Sequence, residues 1–167
     1  MSAWATTVRS PVGVLDLIAD DDGAVTHLLF DLEQPWDSAW WSLRHDPRPF
    51  LDVVAQLEEY FAGERTQFDV PLAPRGTAFQ RAAWDALRAI PYGRTSSYVA
   101  QARAIGRPSA ARAVGAANGR NPIAVVLPCH RVVGASGSLT GYGGGLDRKR
   151  WLLEHERRHV TARLPTA

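Results

Sequence analysis

The chain has one cysteine in 167 residues, in the run Leu127-Pro128-Cys129-His130-Arg131-Val132-Val133. A cysteine acts as a nucleophile through its thiolate, and cationic or imidazole neighbours lower its pKa. His130 and Arg131 supply one neighbour of each kind. The apolar run Ile123 to Leu127 ahead of the motif is long enough for one buried strand, which would carry the thiol to the edge of a core. Two readings fit these residues alone. One is a reactive thiol with a base beside it; the other is an inert cysteine acting as a small hydrophobe.

The elements that must position this motif divide the chain by charge. Residues 1–70 carry 4 arginines and 13 acids, a net of −9; residues 71–167 carry 15 basic residues and 4 acids, a net of +11. The basic half has the electrostatic footprint of a polyanion binder such as nucleic acid. The alternative is that the two halves simply attract each other. A single cysteine excludes an internal disulfide and a cysteine-rich zinc site, and suits a reducing cytoplasm. The N-terminus has no apolar signal core, and no apolar run approaches membrane-spanning length.

In the acidic half, Ala5 to Arg9, Val12 to Ala19 and Val25 to Phe30 alternate with period two. Ser10-Pro11-Val12-Gly13 and Asp20-Asp21-Asp22-Gly23 separate them as turns, which predicts an antiparallel meander. Residues 33–49, with Trp36, Trp40 and Trp41, read as irregular. Phe50, Val53, Val54, Leu57, Tyr60 and Phe61 have helical spacing, with Gly63 as the stop, and Gln67 to Leu72 reads as a short closing strand.

Pro71-Leu72-Ala73-Pro74-Arg75-Gly76 reads as a linker between a domain at 1–72 and a second at 77–157. Thr77 and Gln80 form a capping-box pattern ahead of a helix that buries Phe79, Ala83, Trp84, Leu87 and Ile90. Two short helices follow. Ser96 or Ser97 caps the first, Gly106-Arg107-Pro108 makes the turn, and Ser109 caps the second, Ala110 to about Ala117. Helix, glycine-containing turn, helix is the helix-turn-helix pattern, whose second helix enters the major groove of DNA in DNA-binding examples. Arg107, Arg112 and Arg120 favour that use; the alanines fit tight packing equally well. Gly134 to Gly145 holds six glycines in twelve residues but lacks the placement of a phosphate-binding loop. A final helix, Asp147 to about Arg157, places Trp151, Leu152 and His155 on one side, and 158–167 reads as a flexible tail.

Taken together, Asn121-Pro122-Ile123, Pro128-Cys129-His130-Arg131-Val132 and Gly141-Tyr142-Gly143-Gly144-Gly145 resemble the O6-alkylguanine-DNA alkyltransferases in order and spacing. Phe79-Gln80 to Trp84, Ile90-Pro91-Tyr92-Gly93 and Ala111-Arg112-Ala113-Val114-Gly115 extend the match over residues 76–156. Asn118-Gly119-Arg120 follows the bacterial pattern.

The resemblance implies an α/β N-terminal domain, antiparallel sheet plus helix and ribonuclease H-like, followed by a mostly α winged-helix or helix-turn-helix domain. It implies irreversible transfer of an alkyl group from guanine O6 in double-stranded DNA to Cys129, by a cytoplasmic monomer with no metal or cofactor. Whether O4-alkylthymine is accepted and whether copies bind cooperatively stay open. By the same resemblance His130 is a base acting through a water, Glu156 orients it, and Asn121 holds the cysteine turn. Arg112 fills the space left by a flipped base, and Tyr98 donates to guanine N3. The carbonyls of Cys129 and Val132 accept from the exocyclic amine, the Gly143 N–H meets O6, and Tyr142 lines the alkyl pocket. Read singly, Tyr98 also fits a core tyrosine, Asn121 a turn former, Glu156 a solvated helix residue and Arg112 a phosphate contact. Two other functions fit parts of the pattern: a DNA-binding regulator that uses Cys129 as a redox sensor, and a Cys–His hydrolase.

Overall fold

The computed structural model describes residues 3–30 and 37–163. The chain forms two compact units, Met1–Arg75 with Pro122–Ala124, and Gly76–Asn121 with Val125–Ala167.

In the first unit β1 (Trp4–Ser10), β2 (Gly13–Ala19) and β3 (Val25–Phe30) form the expected antiparallel meander. Its turns are set by local side chains. Ser10 Oγ donates to Gly13 O, and Asp20 Oδ1 accepts from the N–H groups of Asp22 and Ala24. Alternation breaks down in β2, where Leu15 to Ala19 are all buried. Helix α2 (Leu51–Phe61) contributes Val53, Leu57 and Tyr60 to the core and is followed by Gly63 in the left-handed region, φ +80°.

The stretch read as irregular contains a short helix, α1 (Asp37–Trp41), a two-residue strand, β4 (Arg44–His45), and a 3-10 turn, Arg48–Phe50; residues 33–36 lie outside the described residues. β4 lies parallel to β1 and makes the sheet mixed, in the order β3-β2-β1-β4. An open strand edge accepts any segment that reaches it, so no residue pattern announces such a strand. The strand expected at Gln67 to Leu72 is reduced to one bridge, Val25 to Leu72. Pro71 has no N–H to give, and the N–H and C=O of Asp69 are both bonded to the side chain of Gln56. Ile123 bridges to Leu28 in the same single-residue way.

In the second unit Thr77 and Gln80 complete the capping box of α3 (Ala78–Leu87). Ser97 caps α4 (Tyr98–Ala104) and forms β5 with Ser96. Helix α5 (Ala111–Gly119) starts at Ala110 with no side-chain cap, so Ser109 does not play the expected part. Instead Ala110 N–H donates to Arg107 O, which tightens the turn without a side chain. Side-chain hydrogen bonds lock these helices together. Trp84 Nε1 donates to Ala117 O, and Gln101 Nε2 donates to Ala83 O and to Asn118 Oδ1.

No strand forms over Ile123 to Leu127. The chain turns there, with the β-branched Val125 at φ +70°, a conformation that costs on the order of 1–3 kcal/mol and persists only where surrounding packing imposes it. Cys129–Arg131 is a single 3-10 turn, followed by β6 (Val132–Val133) beside β5. Helix α6 (Leu146–Arg163) continues through the first part of the expected tail. Its extension has a packing cause: Val160 sits directly over Gly93, where a Cβ would lie 2.6 Å from its Cγ1. Residues 164–167 lie outside the described residues.

Gly93 also holds φ +76°, so Gly93→Ala is strained twice, by its backbone and by Val160. Urea denaturation should show a loss of roughly 2 kcal/mol or more. Adding Val160→Ala should restore only the steric part.

Candidate active site

A 3-10 turn rotates about 120° per residue, so consecutive side chains point in separate directions. That geometry separates Cys129, His130 and Arg131. Asn121 Nδ2 donates one hydrogen to Leu127 O at 2.7 Å and the other to Cys129 Sγ at 3.2 Å, tying the turn to the thiol.

Among the described residues His130 makes no hydrogen bond to the sulfur. Its Nε2 lies 2.7 Å from Glu156 Oε2, and both side chains are buried. A carboxylate only accepts, so Nε2 carries the hydrogen and, in the neutral ring, Nδ1 keeps its lone pair. Nδ1 is buried and has no hydrogen-bond partner among the described residues.

Arg131, expected beside the thiol, instead donates from Nε and Nη2 to Glu156 at 2.8 and 3.1 Å and from Nη1 to Ile90 O at 2.8 Å. The Gly93 N–H also donates to Glu156 Oε1. Burial alone would raise the Glu156 pKa. The neighbouring His130, followed by Arg131, outweighs it and holds the group below the ordinary carboxylate range.

Burial pushes the Cys129 thiol up, while the Asn121 hydrogen bond and the Lys149 charge pull it back. Lys149, absent from the sequence-based candidates, is buried. Its Nζ donates to Val132 O at 2.7 Å and Thr140 O at 3.0 Å. Burial lowers its pKa and the neighbouring Cys129 opposes that shift. A signal for it existed. It is the only lysine of the chain, where every other basic residue is arginine. A compact ammonium fits between two carbonyls where a planar guanidinium does not.

Cys129 lies at a cavity of about 570 Å³ lined by Tyr98, Arg112, Asn118, Tyr142 and Gly143 among others. Helix α5 supplies Arg112 and the glycine-rich loop supplies Tyr142 and Gly143. Tyr98 Oη is 2.7 Å from Thr140 Oγ1. Burial keeps Tyr142 a neutral phenol.

Cys129, Asn121, Tyr98, Arg112, Tyr142 and Gly143 thus converge, and His130, next to the cysteine in the turn, pairs with Glu156. The carbonyls of Cys129 and Val132 each already accept one bond, from Val132 N–H and Lys149, and each retains a second lone pair. Arg107 and Arg120 do not line the cavity; both are exposed, at the turn before α5 and just after it. Among the described residues no group of three or more His, Cys, Asp or Glu is arranged to hold a metal ion. No described helix is long and apolar enough to cross a membrane.

Comparison with known proteins agrees with this layout. Residues 4–74 match the ribonuclease-like domain of 6-O-methylguanine DNA methyltransferase, and residues 78–158 match its DNA-binding domain. The chain is 56% identical over 158 residues to a methylated-DNA–protein-cysteine methyltransferase of Mycolicibacterium paratuberculosis, covering 95% of this chain and 94% of the relative. The crystal structure of the Mycobacterium tuberculosis O6-methylguanine methyltransferase is similar at 51% identity and TM-score 0.87, over 99% of this chain and 96% of that one. A structure of M. tuberculosis OGT in complex with DNA is similar at 53% identity and TM-score 0.86, covering 93% and 94%.

Removing the negative charge of Glu156 leaves Arg131 buried without its ion. Glu156→Gln should destabilise the fold at neutral pH by about 3 kcal/mol. A carboxyl with a depressed folded pKa gives its full stabilisation above its unfolded value, about 4.3, and loses it as pH falls toward the folded value. Urea titrations from pH 7 downward should therefore show the native protein losing stability below about pH 4.5 more steeply than Glu156→Gln.

Proposed function

The chain belongs to the 6-O-methylguanine DNA methyltransferase family, and from that premise we propose how its own residues carry out the reaction. It repairs DNA directly, by moving an alkyl group from the damaged base to its own cysteine. The observation that carries the residue assignment is a thiol, Cys129, opening onto the same cavity as Arg112 of the helix-turn-helix.

In the proposed reaction Cys129 Sγ attacks the saturated carbon attached to guanine O6. The S–C bond forms as the C–O6 bond breaks, and the electron pair passes into the purine. A soft sulfur nucleophile suits this displacement, and the thioether product is not hydrolysed, so each molecule acts once. Burial favours the neutral thiol, so its proton has to leave as the bond forms. The Nδ1 lone pair of His130 receives it through a water, and Glu156 holds the ring in that tautomer. A direct Cys–His contact of the protease kind is absent, since no hydrogen bond joins the imidazole and the sulfur among the described residues.

The carbon on O6 is out of reach inside a stacked duplex, so the nucleotide has to turn out of the helix. Arg112, exposed on the first turn of α5 and at the cavity rim, fills the gap in the stack. Arg107 and Arg120, exposed at the two ends of α5, meet phosphates. Tyr98 donates to N3 of the extruded guanine. Gly143 N–H meets O6, the free lone pairs of Cys129 and Val132 carbonyls take the exocyclic amine, and Tyr142 bounds the alkyl group. Every group in this scheme comes from one chain, so a monomer suffices. A lone cysteine kept as a thiol suits the cytoplasm.

Mixed with a duplex carrying O6-methylguanine, the protein should gain one methyl mass on the Cys129 peptide and stop after one equivalent. Cys129→Ser should transfer nothing; methyl loss from DNA by that variant would overturn the scheme. Arg112→Ala should slow transfer from duplex DNA by about tenfold or more, with far less effect on transfer from the free base. Equal losses on both substrates would remove Arg112 from base extrusion.

A further inference from the structure

Thr140 is held from two directions. Its carbonyl accepts from Lys149 Nζ, which is itself buried and also bound to Val132 O. Its hydroxyl lies 2.7 Å from the hydroxyl of Tyr98. Tyr98 stands in the first turn of α4 and Thr140 in the glycine-rich loop, so this bond joins two walls of the Cys129 cavity. Neither hydroxyl has another hydrogen-bond partner among the described residues.

The direction of this bond matters to the reaction. A phenol has one hydrogen to donate; if Thr140 takes it, none is left for a purine nitrogen. A threonine hydroxyl also has one hydrogen, and it rotates freely to point at the phenol oxygen. With Thr140 as donor, Tyr98 oxygen accepts and its hydrogen is directed into the cavity. A hydroxyl that accepts a hydrogen bond is polarised into a stronger donor, so the two bonds reinforce each other.

We propose that Thr140 is a positioning residue for Tyr98: when guanine occupies the cavity its hydroxyl donates to the phenol oxygen and aims the Tyr98 hydrogen at guanine N3. The proposal rests on the donor role given to Tyr98 above. As Sγ–C forms and C–O6 breaks, the electron pair moves onto the purine, and negative charge grows on N3. The thiol proton leaves toward His130, and the purine anion, hydrogen-bonded by Tyr98, takes its own proton from solvent after release. The Thr140–Tyr98–N3 chain therefore strengthens as charge develops, which lowers the barrier rather than tightening ground-state binding. Lys149 keeps the loop main chain in place, so that the threonine hydroxyl arrives at the right height.

The rival is that Thr140 merely stitches the loop to α4. A double-mutant cycle on single-turnover methyl transfer from duplex DNA separates the two. The burst amplitude counts active molecules, so misfolded protein does not enter the rate constant. Thr140→Val should slow transfer by about 3- to 10-fold, the loss of one buried hydrogen bond, and Thr140→Ser should stay within about twofold of the native rate. In a Tyr98→Phe background, Thr140→Val should change nothing further. The same fold-loss in both backgrounds would overturn the positioning role while leaving Tyr98 intact. A native rate for Thr140→Val would do the same. A native rate for Tyr98→Phe alone would overturn the donor reading of Tyr98, and the proposal with it.

Discussion

One buried carboxylate organises the second unit. Glu156 receives hydrogen bonds from His130, from two nitrogens of Arg131 and from the Gly93 main chain, with almost no access to water. An ion in such a place is tolerable only when every lone pair is used and an opposite charge is close. Arg131 supplies the charge, and the bond from His130 Nε2 to Glu156 fixes the imidazole ring. The same residue anchors α6 against the Cys129–Arg131 turn. Two turns earlier on that helix, Lys149 holds the carbonyls of Val132 and Thr140 and so seats the glycine-rich loop. Relay, turn and loop share one foundation.

The cysteine is under opposed demands. Burial shields it from adventitious oxidants, but the same burial disfavours the thiolate. Asn121 and Lys149 offset part of that penalty with a hydrogen bond and a positive charge. They do not remove it, which is why a proton acceptor is needed at the moment of transfer. A permanently ionised thiol would be more reactive toward every electrophile; this arrangement confines reactivity to a carbon delivered into the cavity. The strained Val125 and the turn that follows belong to the same design. A regular strand would have aimed Cys129 and His130 to opposite faces with no hand on the sulfur from Asn121.

Local chemistry was legible wherever neighbours in sequence are neighbours in space. The meander, its two turns, the capping box at Thr77 and Gln80, the Ser97 cap and the helical spacing of α2 and α3 all depend on residues a few positions apart. The elements that sequence patterns missed depend on distant partners. β4 exists because the edge of β1 was open, and the strand at Gln67 to Leu72 fails because Gln56 takes the main chain of Asp69. Ser109 loses its cap to a turn closed by main-chain bonds, and α6 runs on because Gly93 leaves room for Val160.

The sequence by itself determined which atoms could react. A single cysteine beside histidine, a basic half, a helix-turn-helix spacing and a glycine-rich loop name the candidate groups, and their order and spacing carry the family resemblance that implies the chemistry. Only the tertiary structure decided how those atoms are aimed. It turned Arg131 from the thiol to Glu156, made Lys149 the clasp of the loop, and set Thr140 against Tyr98. The physical reason is that ion pairing and hydrogen bonding act over about 3 Å in space and are indifferent to separation along the chain. A residue's partner is therefore fixed by packing, and its role follows from the partner.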